Sequence, residues 1–163
     1  MSDPVEVSAG RAADIDAVMH VMEAAFDPAY GEAWRRGQCL GILSLPDVWL
    51  TLARLPDWAQ PVGFALSRRV LEEAELLLLA VQPNARGRGV GRALVERTMQ
   101  EARGRGADRL MLEVRDGNPA LGLYEGVGFA PVGRRKAYYR GSNGELRDAL
   151  TLSRPLLGSP VLP

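Results

Sequence analysis

An apolar run, Leu76-Leu77-Leu78-Leu79-Ala80-Val81, passes through Gln82-Pro83 into Arg86-Gly87-Arg88-Gly89-Val90-Gly91-Arg92, and no other stretch constrains this chain as much. The run has the length of a fully buried strand, and Pro83, with no N–H to give a ladder, closes it. A helix follows from near Gly89. Leu94, Val95, Met99 and Ala102 form its apolar stripe, and Gly104 and Gly106 supply the stop. Glycines at alternate positions, Gly87, Gly89 and Gly91, leave backbone amides uncovered where a helix start already carries unpaired N–H groups and a positive dipole end. Such a loop cradles an anion. Arg86, Arg88 and Arg92 add charge-assisted donors, which favours a ligand with several phosphates over a single carboxylate.

Two nucleotide-binding loops fail the comparison. A dinucleotide G-x-G-x-x-G beginning at Gly87 needs glycine at position 92, where Arg92 stands, and a P-loop needs a lysine after its last glycine, whereas Lys136 is the only lysine in the chain. The loop resembles instead the acetyl-coenzyme A signature of the GCN5-related N-acetyltransferases: glutamine or arginine, two residues, glycine, one residue, then glycine or alanine. Here it reads Arg86 through Gly91. The pattern is short, and its position between an apolar strand and a helix gives it specificity.

The flanking sequence supplies further elements. Val5 and Val7 predict a short strand before Gly10, and Ile15, Val18, Met19 and Met22, with Ala25 and Phe26, predict a packing helix. His20 lies off that stripe and reads as a surface residue. Between Asp27 and Leu45, Trp34, Leu40 and Leu43 allow a second helix while Pro28, Gly31, Gly37 and Gly41 oppose it. A lid over an acceptor site and an irregular connection both fit. Val48, Leu50 and Leu52, then Val62, Phe64 and Leu66, alternate on a period of two and predict an antiparallel hairpin with an enlarged turn over 55–61. Leu71-Glu72-Glu73-Ala74 reads as the turn into the central strand. The acidic residues Glu72, Glu73 and Glu75 read as solvated charges able to draw a cationic amine.

After the long helix, Arg109 to Arg115 predicts a strand with Leu110, Leu112 and Val114 on one face and Glu113 beside Met111 on the other. An intervening helix makes this strand parallel to the previous one, so both faces are expected to be covered and Glu113 partly desolvated. A carboxylate in that position usually sits opposite an arginine or serves chemistry, where desolvation favours a base. Asn118-Pro119 then reads as a helix cap with proline at the first helical position, and Gly128 as the end of that helix.

The order of LEVR, an asparagine, a leucine-tyrosine-glutamate and a glycine-phenylalanine resembles the peptide N-terminal acetyltransferases of the same superfamily, the ribosomal-protein alanine acetyltransferases in particular. The likeness covers about residues 70 to 155; residues 1 to 69 share only the general layout, and the Asp27 to Leu45 region departs from it. It implies that backbone groups around Leu79, Ala80 and Val81 pair with the pantetheine arm of acetyl-coenzyme A. The amides of Gly87, Arg88, Gly89, Val90, Gly91 and Arg92, with Arg86, would hold the pyrophosphate. The likeness further implies that Asn118 steadies the pantetheine or a water, that Tyr124 gives a proton to the departing sulfur, that Glu113 is the base, and that Tyr138 and Tyr139 line the peptide side.

The expected architecture is a single α/β (α+β) domain over 1–157, with a mixed, mostly antiparallel sheet whose two central parallel strands splay to form the cofactor slot, flanked by helices. Residues 158–163 are expected to be a flexible tail. The expected activity is direct acetyl transfer from acetyl-coenzyme A to a primary amine, the N-terminal α-amino group of a protein or peptide, with no metal. A small-molecule amine acceptor and a non-catalytic acetyl-coenzyme A binding module remain as alternatives. Lys plus Arg and Asp plus Glu each number 20, which removes any electrostatic argument for nucleic-acid or membrane-surface partners. Cys39 is the lone cysteine, so a disulfide framework is excluded and covalent catalysis lacks a histidine partner. The chain reads as cytoplasmic, and monomer and homodimer both stay open.

Overall fold

The computed structural model describes residues 4–156. Its seven strands are β1 (Glu6–Gly10), β2 (Val48–Arg54), β3 (Gly63–Val70), β4 (Glu73–Val81), β5 (Arg109–Arg115), β6 (Ala130–Arg140) and β7 (Leu146–Pro155). They form one sheet in the order β1-β2-β3-β4-β5-β7-β6. Every neighbouring pair is antiparallel except β4 and β5. Helices α1 (Ile15–Ala25) and α2 (Arg36–Leu43) cover one face, where Ile15, Val18, Val21 and Met22 meet Leu50, Phe64 and Leu66. Helices α3 (Val90–Gly104) and α4 (Leu121–Gly126) cover the other, where Leu94 and Val95 meet Ala65, Leu76 and Leu110. This is the mixed, helix-flanked sheet the sequence predicts; the predicted tail of 158–163 lies outside the described residues.

The parallel ladder is short. Glu73, Ala74, Glu75 and Leu76 pair with Arg109, Leu110, Met111 and Leu112, and the two strands then part. Beyond that point β4 keeps β3 as its partner up to Val81, and β5 keeps β7 up to Arg115. The splay is thus real, and each strand bounds one wall of an opening.

A bulge accompanies it. Leu66 faces Leu78 and Ser67 faces Leu76, so Leu77 is an extra residue on β4. One inserted residue reverses the faces of all that follow. Ala74 and Leu76 accordingly pack with the α3 cluster, whereas Leu78 and Ala80 pack with the α1 cluster. The expectation of a fully buried strand needs correction: Leu77, Leu79 and Val81 are only half-buried. Their apolar character serves the wall of the opening, and a continuous apolar run cannot distinguish that from a covered face.

Three other boundaries become definite in the structure. The turn before β4 is only Leu71-Glu72, with Leu71 in the left-handed region at φ 57, and the strand starts at Glu73. Arginines stand across the strands from two of the acidic residues: Glu75 faces Arg68 at 2.9 Å, and Glu73, about half exposed, faces Arg109 at 3.7 Å. The ambiguous 27–45 segment contains a single 3-10 turn, Pro28–Tyr30, and then α2, whose first turn is closed by the Arg35 N–H donating to Gln38 Oε1. Helix α4 begins at Leu121, and Asn118 caps the turn before it.

Candidate active site

The opening between β4 and β5 is a cleft of about 820 Å³ that continues past the Arg/Gly loop to the first turn of α3. Leu79, Ala80, Val81, Arg86, Gly87, Gly89, Val90, Gly91, Arg92, Glu113, Asn118, Tyr124, Tyr138 and Tyr139 all line it. These are the predicted site residues with one exception. Arg88 is turned to the loop after β2, where its guanidinium makes a two-pronged pair with Asp57 at 2.8 and 3.0 Å and holds that carboxyl below its ordinary range.

Strand β4 presents its backbone to the cleft in a definite pattern. Gln82 donates to the Val62 carbonyl at 2.7 Å on the β3 side. By the alternation of an antiparallel strand, Ala80 also turns its backbone groups to β3, and Leu79 and Val81 turn theirs to the side that β5 has vacated. Those groups can accept an added extended chain. At the end of the strand, Gly87 and Gly89 have φ of 78 and 83, and a side-chain carbon at either would meet nothing within 4 Å. Gly89 is the N-cap of α3, and the N–H of Ala93 is the first to be returned to the helix, bonding Gly89 O at 3.0 Å. The amides of Val90, Gly91 and Arg92 therefore have no intrahelical partner. Gly91 answers to a different need: a carbon there would stand 3.0 Å from Leu123 Cδ2, so it lets α3 approach α4.

Tyr124 sits on α4 with its ring edge-on to Phe129 at 5.8 Å. Among the described residues its hydroxyl has no hydrogen-bond partner, and the residue is 7% exposed. Burial first, and the Glu32 carboxylate second, push the phenol well above its usual range, so it keeps its proton at neutral pH. Tyr139 donates to the Glu113 carbonyl at 3.3 Å and is likewise pushed up, again by burial first. Tyr138 packs edge-on against Tyr139 at 4.9 Å and is half exposed at the rim.

Glu113 lines the cleft, so the face of β5 that bears it is not fully sealed there. Glu113 itself is 12% exposed at the side chain and finds an arginine opposite: Oε1 lies 2.9 Å from Arg135 Nε, and Oε2 accepts from Thr151 Oγ1 at 2.7 Å. Both neighbours come from β6 and β7, the strands that pair beyond β5. Asn118 is held at both ends of its amide, with Oδ1 accepting from Ala120 N at 2.8 Å and Nδ2 donating to Glu32 Oε2 at 2.7 Å. Cys39, by contrast, is 1% exposed within α2 among apolar neighbours, and burial pushes its thiol up, the opposite of what a nucleophile needs.

The sequence did not single out Tyr30, Glu32 or Arg115, which also line the cleft. Glu32 Oε1 is 3.3 Å from Arg115 Nε, with both side chains about a tenth exposed. The Arg115 guanidinium stacks 3.7 Å from the Tyr30 ring centroid. One local signal pointed here: Asp27-Pro28 repeats the arrangement of Asn118-Pro119, and Asp27 Oδ1 accepts from Ala29 N at 2.9 Å just as Asn118 Oδ1 accepts from Ala120 N.

A sheet parted between two parallel strands, with uncovered helix amides at the mouth and a tyrosine hydroxyl inside, suits a ligand that joins a phosphate-bearing end to an extended amide chain. The chain belongs to the acetyltransferase (GNAT) family, whose profile matches residues 16–129. It is similar to the ribosomal protein bS18-alanine N-acetyltransferases of Escherichia coli K12 (40% identical over 95 residues) and Haemophilus influenzae (37% over 94 residues). In each case the matched region spans 58% of this chain and 64% of the relative's length. The crystal structure of the E. coli ribosomal-protein alanine N-acetyltransferase superposes with a TM-score of 0.81 at 28% identity, covering 98% of this chain and 99% of that one. Arabidopsis thaliana NAA60, solved with acetyl-CoA, shares the fold at a TM-score of 0.81 and 19% identity, covering 95% of this chain and 100% of that one.

Proposed function

We propose that this protein transfers an acetyl group from acetyl-coenzyme A directly to the N-terminal α-amino group of a protein or peptide. The observation that carries the reading is the parting of β4 from β5 after Leu76 and Leu112, which turns the backbone of Leu79 and Val81 into a cleft that reaches the Arg/Gly loop and is lined by Tyr124. Those backbone groups suit the amides of a pantetheine arm, and the loop amides with Arg86 and Arg92 suit its pyrophosphate.

The amine attacks the thioester carbonyl, a C–N bond forms, and the C–S bond breaks. Tyr124 gives its proton to the departing sulfur, Glu113 accepts the proton of the amine directly or through a water, and backbone amides near Leu79 face the developing oxyanion. No acyl-enzyme is required, in keeping with the burial of Cys39 outside the cleft. Tyr138 and Tyr139 at the opposite end suit the first residues of a peptide. Relatives named for a ribosomal-protein alanine favour a protein acceptor, which this enzyme would meet in the cytoplasm.

Release of coenzyme A thiol in the presence of acetyl-coenzyme A, compared across peptides with free N-termini and across small amines, tests this reading. Turnover of the peptides supports it. Turnover of polyamines, aminoglycosides or amino acids alone would move the protein to a small-molecule acetyltransferase, and binding without turnover would make it a non-catalytic module.

A further inference from the structure

Glu32 takes no part in the chemistry above, yet it lines the cleft with its side chain nearly buried. Carboxylates are expensive to remove from water unless each is paired and hydrogen-bonded. Glu32 meets that condition with two groups from other elements: Asn118 Nδ2 at 2.7 Å, on the approach to α4, and Arg115 Nε at 3.3 Å, at the end of β5. Asn118 in turn spends its Oδ1 on Ala120 N, in the turn that opens the helix carrying Tyr124. An amide presents a donor end and an acceptor end, and with both ends occupied its orientation is determined.

The loop that carries Glu32 is itself wedged in place. A side-chain carbon at Gly31 would collide with the Arg140 carbonyl, one at Gly141 would collide with the Ala29 carbonyl, and Ser142 N donates to Pro28 O at 3.0 Å. Tyr30, the residue before Gly31, stacks on Arg115 at 3.7 Å and lies 4.9 Å from Arg147. Glu32 is therefore referenced to the turn between β6 and β7, on the side of Tyr138 and Tyr139, while the group it holds lies on the coenzyme side.

The geometry points to Glu32 as a positioning residue that holds Asn118, and through it the first turn of α4, so that the acceptor wall and the coenzyme A site are assembled together. The inference rests on the reading in which Asn118 steadies the pantetheine arm. Its consequence is that coenzyme A affinity depends on a side chain from the acceptor wall.

Calorimetric titration of coenzyme A into the wild type, Glu32→Gln, Glu32→Ala, Asn118→Ala and the Glu32→Ala/Asn118→Ala double variant tests it, with a melting curve for each. Glu32→Ala should weaken binding about tenfold, the scale of one charge-assisted hydrogen bond. The double variant should bind no more weakly than Asn118→Ala alone, because both changes break one link. Glu32→Gln keeps an oxygen for Asn118 Nδ2 and should stay within about threefold of wild type. Multiplying losses in the double variant, wild-type affinity in a folded Glu32→Ala, or a Gln variant as weak as the Ala variant would each overturn the inference. If Glu32→Ala fails to fold, Glu32→Gln carries the test on the same threefold criterion. A wild type without measurable coenzyme A affinity would instead refute the reading of the cleft.

Discussion

Leu76 and Leu112 face each other across the last rung of the parallel ladder, and the residues that follow them, Leu77 and Glu113, have no partner in the opposite strand. Leu77 is also the bulge residue against β3. The strand thus changes both its neighbour and its face at one point, and the cleft begins there. Arg86, Glu113, Asn118, Tyr124 and Tyr139 all line it.

Hydrogen exchange at β4 reads the parting directly. Leu79 and Val81 turn their backbone groups away from β3, so saturating coenzyme A should slow exchange at these two amides by about tenfold or more, the effect of gaining a hydrogen bond that must open first. Ala80, which already faces β3, should change less. Unchanged exchange at Leu79 and Val81 in the bound protein would place the pantetheine arm elsewhere.

Arg86 and Arg88 should separate in binding experiments. Arg86 lines the cleft and gives one hydrogen bond to the Ala25 carbonyl at 3.2 Å, whereas Arg88 is engaged by Asp57 outside the lining. Arg86→Ala should cost coenzyme A affinity about 1–2 kcal/mol, and Arg88→Ala less than about 0.5 kcal/mol. Calorimetry showing the reverse order would mean that Arg88 leaves Asp57 for the phosphates.

Much of this arrangement was legible in the sequence, for reasons that differ by residue. The strand, loop and helix from Leu76 to Ala102 announced themselves because periodicity, proline and glycine are local signals. Glu113 was placed on the correct strand and face by alternation alone. The bulge at Leu77 was hidden, since a continuous apolar run carries no parity. Glu32 was hidden because it follows Gly31 in a segment without periodicity, and its partner Asn118 lies 86 residues away. Gly91 looked like a concession to a ligand, and its nearest obstruction is Leu123.

The Gly31 contact predicts a loss of stability independent of any ligand. Gly31 has φ 67 and a side-chain carbon there would run into the Arg140 backbone, which has no flexible end to give way. Gly31→Ala should destabilise the fold by roughly 2–4 kcal/mol in urea denaturation, combining left-handed strain with a backbone clash. Gly37→Ala, on an exposed helix position with nothing within 4 Å, should be neutral or stabilising by about 0.5–1 kcal/mol.

Tyr124 and Glu113 should each prove necessary for turnover. The Tyr124 ring packs on Phe129 and its hydroxyl bonds no described residue, so Tyr124→Phe should fold normally. It should lower kcat by roughly ten- to ten-thousand-fold with coenzyme A affinity little changed. Because burial and Glu32 raise the phenol, its loss of proton should place no basic limb on the wild-type kcat profile below about pH 10. Glu113→Gln should lower kcat/KM by roughly a hundredfold or more, the contribution of a positioned base. An unchanged rate would assign the base to another group.

The acceptor assignment is tested most directly by mass spectrometry of peptides carrying both a free N-terminus and an internal lysine, incubated with enzyme and acetyl-coenzyme A at neutral pH. An α-amino group with a pKa near about 8 is roughly a tenth uncharged there, and a lysine near about 10.4 is far less than a hundredth, so a modest base suffices only for the first. One acetyl group on the α-nitrogen, added more slowly by Tyr124→Phe, is the predicted result. Modification confined to internal lysines, or no modification by an enzyme that binds acetyl-coenzyme A, would contradict it.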